Sequence, residues 1–118
     1  GTTLAGSDTM PQFDVPLNKG AHRATIPFAV VVQSSQFDLY RRRVVVPLVR
    51  RSAMPSNTPT VGSRMNPSLS MQGIDLVLHP LDMASAALDQ LGPCIGTLAE
   101  QGQLITDALD ELLTRSWR

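Results

Sequence analysis

The sequence predicts a mainly β domain closed by a single C-terminal α-helix, and three observations point there. Short runs rich in β-branched residues recur along the chain, above all Ile26 to Gln33 and Arg43 to Val49. Signals built on Gly, Pro and Asn separate those runs. Near the C-terminus the apolar spacing changes to a 3.6-residue period. Several short strands followed by one helix describe a small barrel or sheet with the helix packed on it.

Residues 1–9 (GTTLAGSDT) are small and polar and are expected to be a tag scar or loose extension before a start at Met10. Residues 10–118 are expected to form one domain, as the 118-residue length suggests. Gln12 to Leu17 is a short strand, and Pro16 confines it to a sheet edge. Asn18-Lys19-Gly20 turns the chain. Ile26 to Gln33 (IPFAVVVQ) is the next strand. Ser34 to Tyr40 is a loop that exposes Gln36, Phe37, Leu39 and Tyr40. Arg43 to Val49 (RVVVPLV) is apolar without alternation. It is therefore buried on both faces or central in a small barrel, and Pro47 is expected to bend or bulge it. Residues 52–72 carry Pro55, Pro59 and Pro67. A structureless loop of that length is uncommon in a compact domain, so short strands are expected near Thr60–Val61 and Leu69–Met71. Ile74 to Leu78 is a strand closed by His79-Pro80. A helical turn within Leu81–Ala87 and a short strand over Ala86–Leu91, before Gly92-Pro93, complete the β region.

Thr97 and Glu100 stand at capping-box spacing. Leu98, Ile105, Ala108, Leu109 and Leu112 fall on one helical face with Leu113 at its margin, and Asp107, Asp110 and Glu111 fall opposite. This predicts an amphipathic helix over 98–114. Gly102 inside it weakens the helix by about 1 kcal/mol relative to Ala.

Ten Lys+Arg balance ten Asp+Glu, a formal net charge of zero, which argues against a protein that coats duplex nucleic acid. Aromatic residues make up 4% (Phe13, Phe28, Phe37, Tyr40 and Trp117), so stacking platforms for single strands are scarce. The balance hides a split. Lys19, Arg23, Arg41, Arg42, Arg43, Arg50, Arg51 and Arg64 face only Asp38 within residues 19–64, a net of +7. Residues 75–118 carry a net of −5. Cys94 has no partner for an internal disulfide, and beside Pro93 it reads as a small core filler. No apolar run reaches membrane-span length and no secretory leader is present, so a cytoplasmic protein without membrane contact is expected.

Two histidines and one cysteine (His22, His79, Cys94) do not make a closed structural zinc site, and neither histidine has a carboxylate at metal-ligand spacing. The phosphate-binding loop, the dinucleotide fingerprint and the nucleophile elbow are all missing. The expectation is a non-enzymatic binding protein with no catalytic residues, no metal and no cofactor. Arg41-Arg42-Arg43 is either a strand start with solvated side chains or an anionic contact, to a partner's acidic segment or to the acidic half of a dimer mate. Trp117 is either a staple holding the helix end to the core or an aromatic anchor offered to a partner.

Met10 followed by Gln12-Phe13-Asp14-Val15, then Val30-Val31-Val32-Gln33-Ser34, then Arg42-Arg43-Val44-Val45-Val46-Pro47-Leu48 begin a pattern. Met65-Asn66-Pro67, Gly73, Asp82-Met83-Ala84-Ser85, Leu91-Gly92 and Ile105 to Asp110 continue it in order. From about Met10 to Leu113 the chain thereby resembles the CcdB-type toxins of bacterial toxin–antitoxin modules. The resemblance implies an SH3-like barrel of the CcdB/MazF type with a long C-terminal helix, in a homodimer. It implies a non-catalytic poison that binds the DNA gyrase A subunit, traps the cleaved-DNA complex and is neutralised by a CcdA-like antitoxin with an acidic tail. It implies no sequence-specific nucleic-acid binding.

The family's gyrase contact is a Trp-Gly-Ile after the helix, aided by helix-end residues and the loop before the third strand. By position these are Gln36, Phe37, Asp110 and Leu113. The Trp-Gly-Ile falls on Thr114, Arg115 and Ser116, which do not match, and Trp117 comes three positions later. Either a longer tail carries the anchor to Trp117, or gyrase binding is altered or lost. The basic half suits an acidic antitoxin tail, with Arg41, Arg42, Arg43, Arg50 and Arg51 as its expected contacts. Two other functions compete: a MazF-like endoribonuclease using the Arg-rich half on RNA phosphates, and a toxin-derived binding module without gyrase activity.

Overall fold

Valine at the centre of the chain organises the sheet. A computed structural model describes residues 11–32, 42–54, 65–87 and 90–116. Its strands are β1 (Asp14–Asn18), β2 (Phe28–Val31), β3 (Arg42–Arg50), β4 (Ser68–Met71), β5 (Ile74–Leu78), β6 (Ala84–Ala87) and β7 (Leu91–Thr97), followed by the helix α1 (Gly102–Ser116). The order across the antiparallel sheet is β4-β5-β3-β2-β1-β7, with β6 also paired to β3. The sheet curls into a half-barrel around α1, so the expected mainly β fold with one C-terminal helix is observed.

Strand β3 is the spine. On one flank it pairs with β2 from Phe28↔Leu48 to Val31↔Val45. The other flank is divided: β6 takes Arg42 to Val45 and β5 takes Leu48 to Arg50. Val46 and Leu48 face the core with Phe28, Val30, Leu76 and Leu78, and α1 covers them with Ile105 and Ala108. Val45 is buried on the other face. The unbroken apolar run thus reports burial on both faces, each buried valine contributing about 1.5–3 kcal/mol.

Pro47 neither bends nor bulges this strand, contrary to expectation: the β2 register runs through Ala29↔Pro47 without a shift. Its carbonyl accepts the His79 N–H at 3.2 Å, on the flank facing away from β2. N–H and C=O of one strand residue point the same way, so the donor that proline lacks would fall in the gap between β5 and β6, where no ladder needs it.

Pro16 likewise does not put β1 at an edge. β1 lies between β2 and β7; the Asn18 N–H donates to the Pro27 carbonyl, so by alternation the donor that Pro16 lacks would face β2, where Leu17↔Phe28 is the one registered pair. The outer strand is β7, which continues through Gly92-Pro93 instead of following a strand that stops there. Gly92 lies so close to β1 that a Cβ would stand 2.9 Å from the Leu17 carbonyl oxygen. The strand expected over Ala86–Leu91 divides into the end of β6 and the start of β7. The helical turn is a 3-10 turn at Pro80–Asp82.

Strands Ser68–Met71 and Ile74–Leu78 occur where expected. The proposed extension at 1–9, the loop Ser34–Tyr40 and the strand near Thr60–Val61 lie outside the described residues. The helix begins later than its spacing suggests: a 3-10 turn, Ala99–Gln101, precedes α1. The Thr97 hydroxyl accepts the Ala99 N–H at 3.2 Å rather than the amide of residue 100, so it closes a local turn and not a capping box. No helix among the described residues is long and apolar enough to cross a membrane.

Candidate functional site

The early turns of α1 are pinned to the core, and exposure rises toward its end. Ile105 and Ala108 are fully buried, and the helix packs against the Pro80–Asp82 turn. Asp110 is exposed, and Leu113 is 56% exposed despite its size. These two expected contact residues share an accessible helix end. Trp117, Gln36 and Phe37 lie outside the described residues. Three further large apolar side chains are exposed among the described residues: Leu104 at 39% on α1, and Leu81 at 63% and Met83 at 39%, in and just after the turn that α1 packs against. The sequence reading did not single them out, although a leucine held between Pro80 and Asp82 in a turn is itself a signal of exposure.

The arginines do not form one patch. Arg41 lies outside the described residues. Arg42 is exposed, its Nε donating to Ser85 Oγ at 2.9 Å and its Nη2 to the Ser85 carbonyl at 3.1 Å. Arg43 is only 1% exposed, and its Nη1 donates to the Arg42 carbonyl at 2.9 Å. Arg43 is therefore inaccessible to an antitoxin tail, and the solvated reading of the run fails for it as well. Adjacent strand residues point to opposite faces, so a run of arginines entering a sheet must turn one inward.

Arg50 and Arg51 stand at the other end of β3, about 26 Å from Arg42 at strand rise. Arg50 Nε donates to the Ala24 carbonyl at 2.9 Å, and Arg51 Nη1 donates to Ser68 Oγ at 3.0 Å. Two separate basic points replace the single basic face expected from the charge split.

Cys94 is exposed on β7 and is no core filler; its thiol donates to the Gly96 carbonyl at 3.1 Å. Burial pushes the Asp14 carboxyl above its ordinary value, and a hydrogen bond with Cys94 works in the opposite direction. His79 Nδ1 stands 3.1 Å from Asp82 Oδ2, at ion-pairing distance but off hydrogen-bonding geometry. Among the described residues no three His, Cys, Asp or Glu side chains gather as a metal site. An apolar cavity of about 390 Å³ opens over Ala29, Val45, Pro47, Ala84 and Leu91. What this surface offers chemically is contact: an accessible helix end, and guanidinium groups held in place by the fold.

The family model described as CcdB protein matches residues 12–114. No curated protein matches the sequence at a significant level.

Proposed function

The chain belongs to the CcdB family, the toxins of toxin–antitoxin modules, and on that premise we propose that it binds the DNA gyrase A subunit and traps or inhibits the enzyme. The observation that carries this reading is the family match over residues 12–114, on a chain of the same strands-then-helix design. The contact surface is the end of α1, with Asp110, Leu113 and the following Trp117, together with Gln36 and Phe37. The exposure of Leu113 supports this assignment, because a large apolar side chain in water gains free energy when a partner covers it. Binding, not catalysis, does the work: a toxin seated on gyrase stabilises one state of the enzyme by its differential affinity for that state.

A CcdA-like antitoxin neutralises the toxin, and its acidic tail meets Arg41, Arg42, Arg50 and Arg51, of which Arg42 and Arg51 are exposed. The working form is a cytoplasmic homodimer. The test is supercoiling by purified gyrase. Inhibition or accumulated cleaved DNA at micromolar protein is expected, reduced in Trp117→Ala. No effect at that concentration, with Trp117→Ala indistinguishable from the parent chain, rejects the proposal.

A further inference from the structure

Strand β4 ends the sheet, and among the described residues β5 is its one neighbour. The two-residue turn Gln72-Gly73, with φ of 53 and 77°, makes Met71↔Ile74 the closing pair of the hairpin. The Pro67 carbonyl accepts the Leu78 N–H, so residues 67, 69 and 71 face β5. By alternation, the N–H and C=O groups of Ser68 and Ser70 point away from the sheet. The usual guards of a free edge, a lysine or a bulge, are not built into this strand.

A groove of about 510 Å³ runs along this edge, walled by Ser68, Leu69 and Ser70 on one side and by Gln101 and Leu104 on the other. Leu104 is exposed. Arg51 lines the groove with its guanidinium anchored on Ser68 Oγ, and it also lines an adjoining groove of about 680 Å³ with Arg50. An anchored guanidinium loses little freedom when it meets a carboxylate.

We infer that the β4 edge takes an extended acidic–apolar peptide, which adds a strand bonded to Ser68 and Ser70, with an acidic side chain on Arg51 and an apolar one over Leu104. Outward main-chain groups are matched by another main chain, which makes the ligand a strand. The guanidinium selects an acidic residue at the Ser68 end. Asp75, which pairs with Ser70 and lines both grooves, disfavours acid at the other end and so excludes a uniformly acidic run. The choice of an antitoxin segment as the natural occupant rests on the toxin–antitoxin reading above; the docking site itself does not.

The probe is a fluorescein-labelled strand-forming peptide of Val and Thr with a single Glu near one end, titrated into the full chain at low salt, with Lys in place of that Glu as control. Saturable binding of the acidic peptide alone is expected, with shifts of the Ser68 and Ser70 amide resonances. Arg51→Glu is expected to weaken it by about tenfold or more. Ser70→Pro, which removes an outward donor while leaving the β5 ladder intact, is expected to do the same. Should Ser70→Pro fail to fold, Arg51→Glu and the amide shifts decide. Equal binding of both peptides, no saturable binding, or an unchanged Arg51→Glu overturns the inference. Peptide binding without gyrase inhibition removes only the gyrase reading; inhibition without peptide binding removes only this one.

Discussion

The ring of Phe13 lies against the Cα of Gly102: a Cβ on that glycine would stand 2.7 Å from Phe13 Cε2. Phe13 itself has φ +71°, in the left-handed region that side chains other than glycine seldom adopt. Its N–H donates to the Val31 carbonyl at 2.6 Å, and its carbonyl accepts the Leu98 N–H at 2.8 Å. One strained residue therefore joins the end of β2 to the segment that leads into α1, and Gly102 leaves the room it requires.

Gly102→Ala is expected to destabilise the protein even though alanine favours helix. Overpacking a filled contact costs about 1–3 kcal/mol, against a propensity gain of about 1 kcal/mol. Urea unfolding measures the difference. In a Phe13→Leu background, where the ring edge is gone, the same change becomes neutral or stabilising; a loss of equal size in both backgrounds speaks against the contact.

Arg42 and Arg43 are neighbours with opposite fates. Arg43→Ala removes a fully buried side chain and is expected to cost about 2–5 kcal/mol. Arg42→Ala gives up exposed hydrogen bonds to Ser85 and is expected to cost under about 1 kcal/mol. Thermal melts of the two variants check this ordering, and a reversed or equal effect refutes the placement of Arg43.

Leu113→Glu and Asp110→Arg are expected to raise the toxin concentration needed for gyrase inhibition by about tenfold or more. Their melting temperatures stay near the parent's, because substitutions at exposed positions usually change stability by within about 0.5 kcal/mol. Weaker inhibition that merely follows lowered stability removes these residues from the contact surface.

Asp14 gives a pH test. Burial raises its carboxyl above the unfolded value, so the folded chain holds that proton more tightly. The stability this contributes is present at low pH and is lost as pH rises through the folded value. Asp14→Asn is therefore expected to melt higher than the parent at pH 7, with the advantage fading below about pH 3, where both states are protonated. Melts across that range decide; a difference independent of pH counts against the burial effect.

The strands around β3 were legible because their apolar runs carry local information that burial then uses, and the face of α1 was legible through Ile105 and Ala108. The prolines misled. Pro16, Pro47 and Pro93 each lack one donor, and whether a ladder needs that donor depends on the neighbouring strand, which local sequence does not specify. The burial of Arg43 was hidden by reading three arginines as one run instead of as alternating faces. Cys94 and Gly92 are explained only by β1 lying alongside β7. Within the site, periodicity put Asp110 on the polar face and Leu113 only at the margin of the apolar one, and the helix end as a contact came from the family resemblance. The separation of Arg42 from Arg50 and Arg51 required knowing that one unbroken nine-residue strand lies between them.

The divided flank of β3 also parcels the molecule's resistance to opening. The hairpin of β4 and β5 and the short β6 occupy different stretches of the same strand, and the His79–Pro47 hydrogen bond falls between their ladders. The hairpin shares no ladder with β6, so the two are expected to open with different free energies, the hairpin's raised by Leu69, Leu76 and Leu78 in the core. In amide hydrogen exchange each would show as one block of protons surrendered together, at a rate of its own.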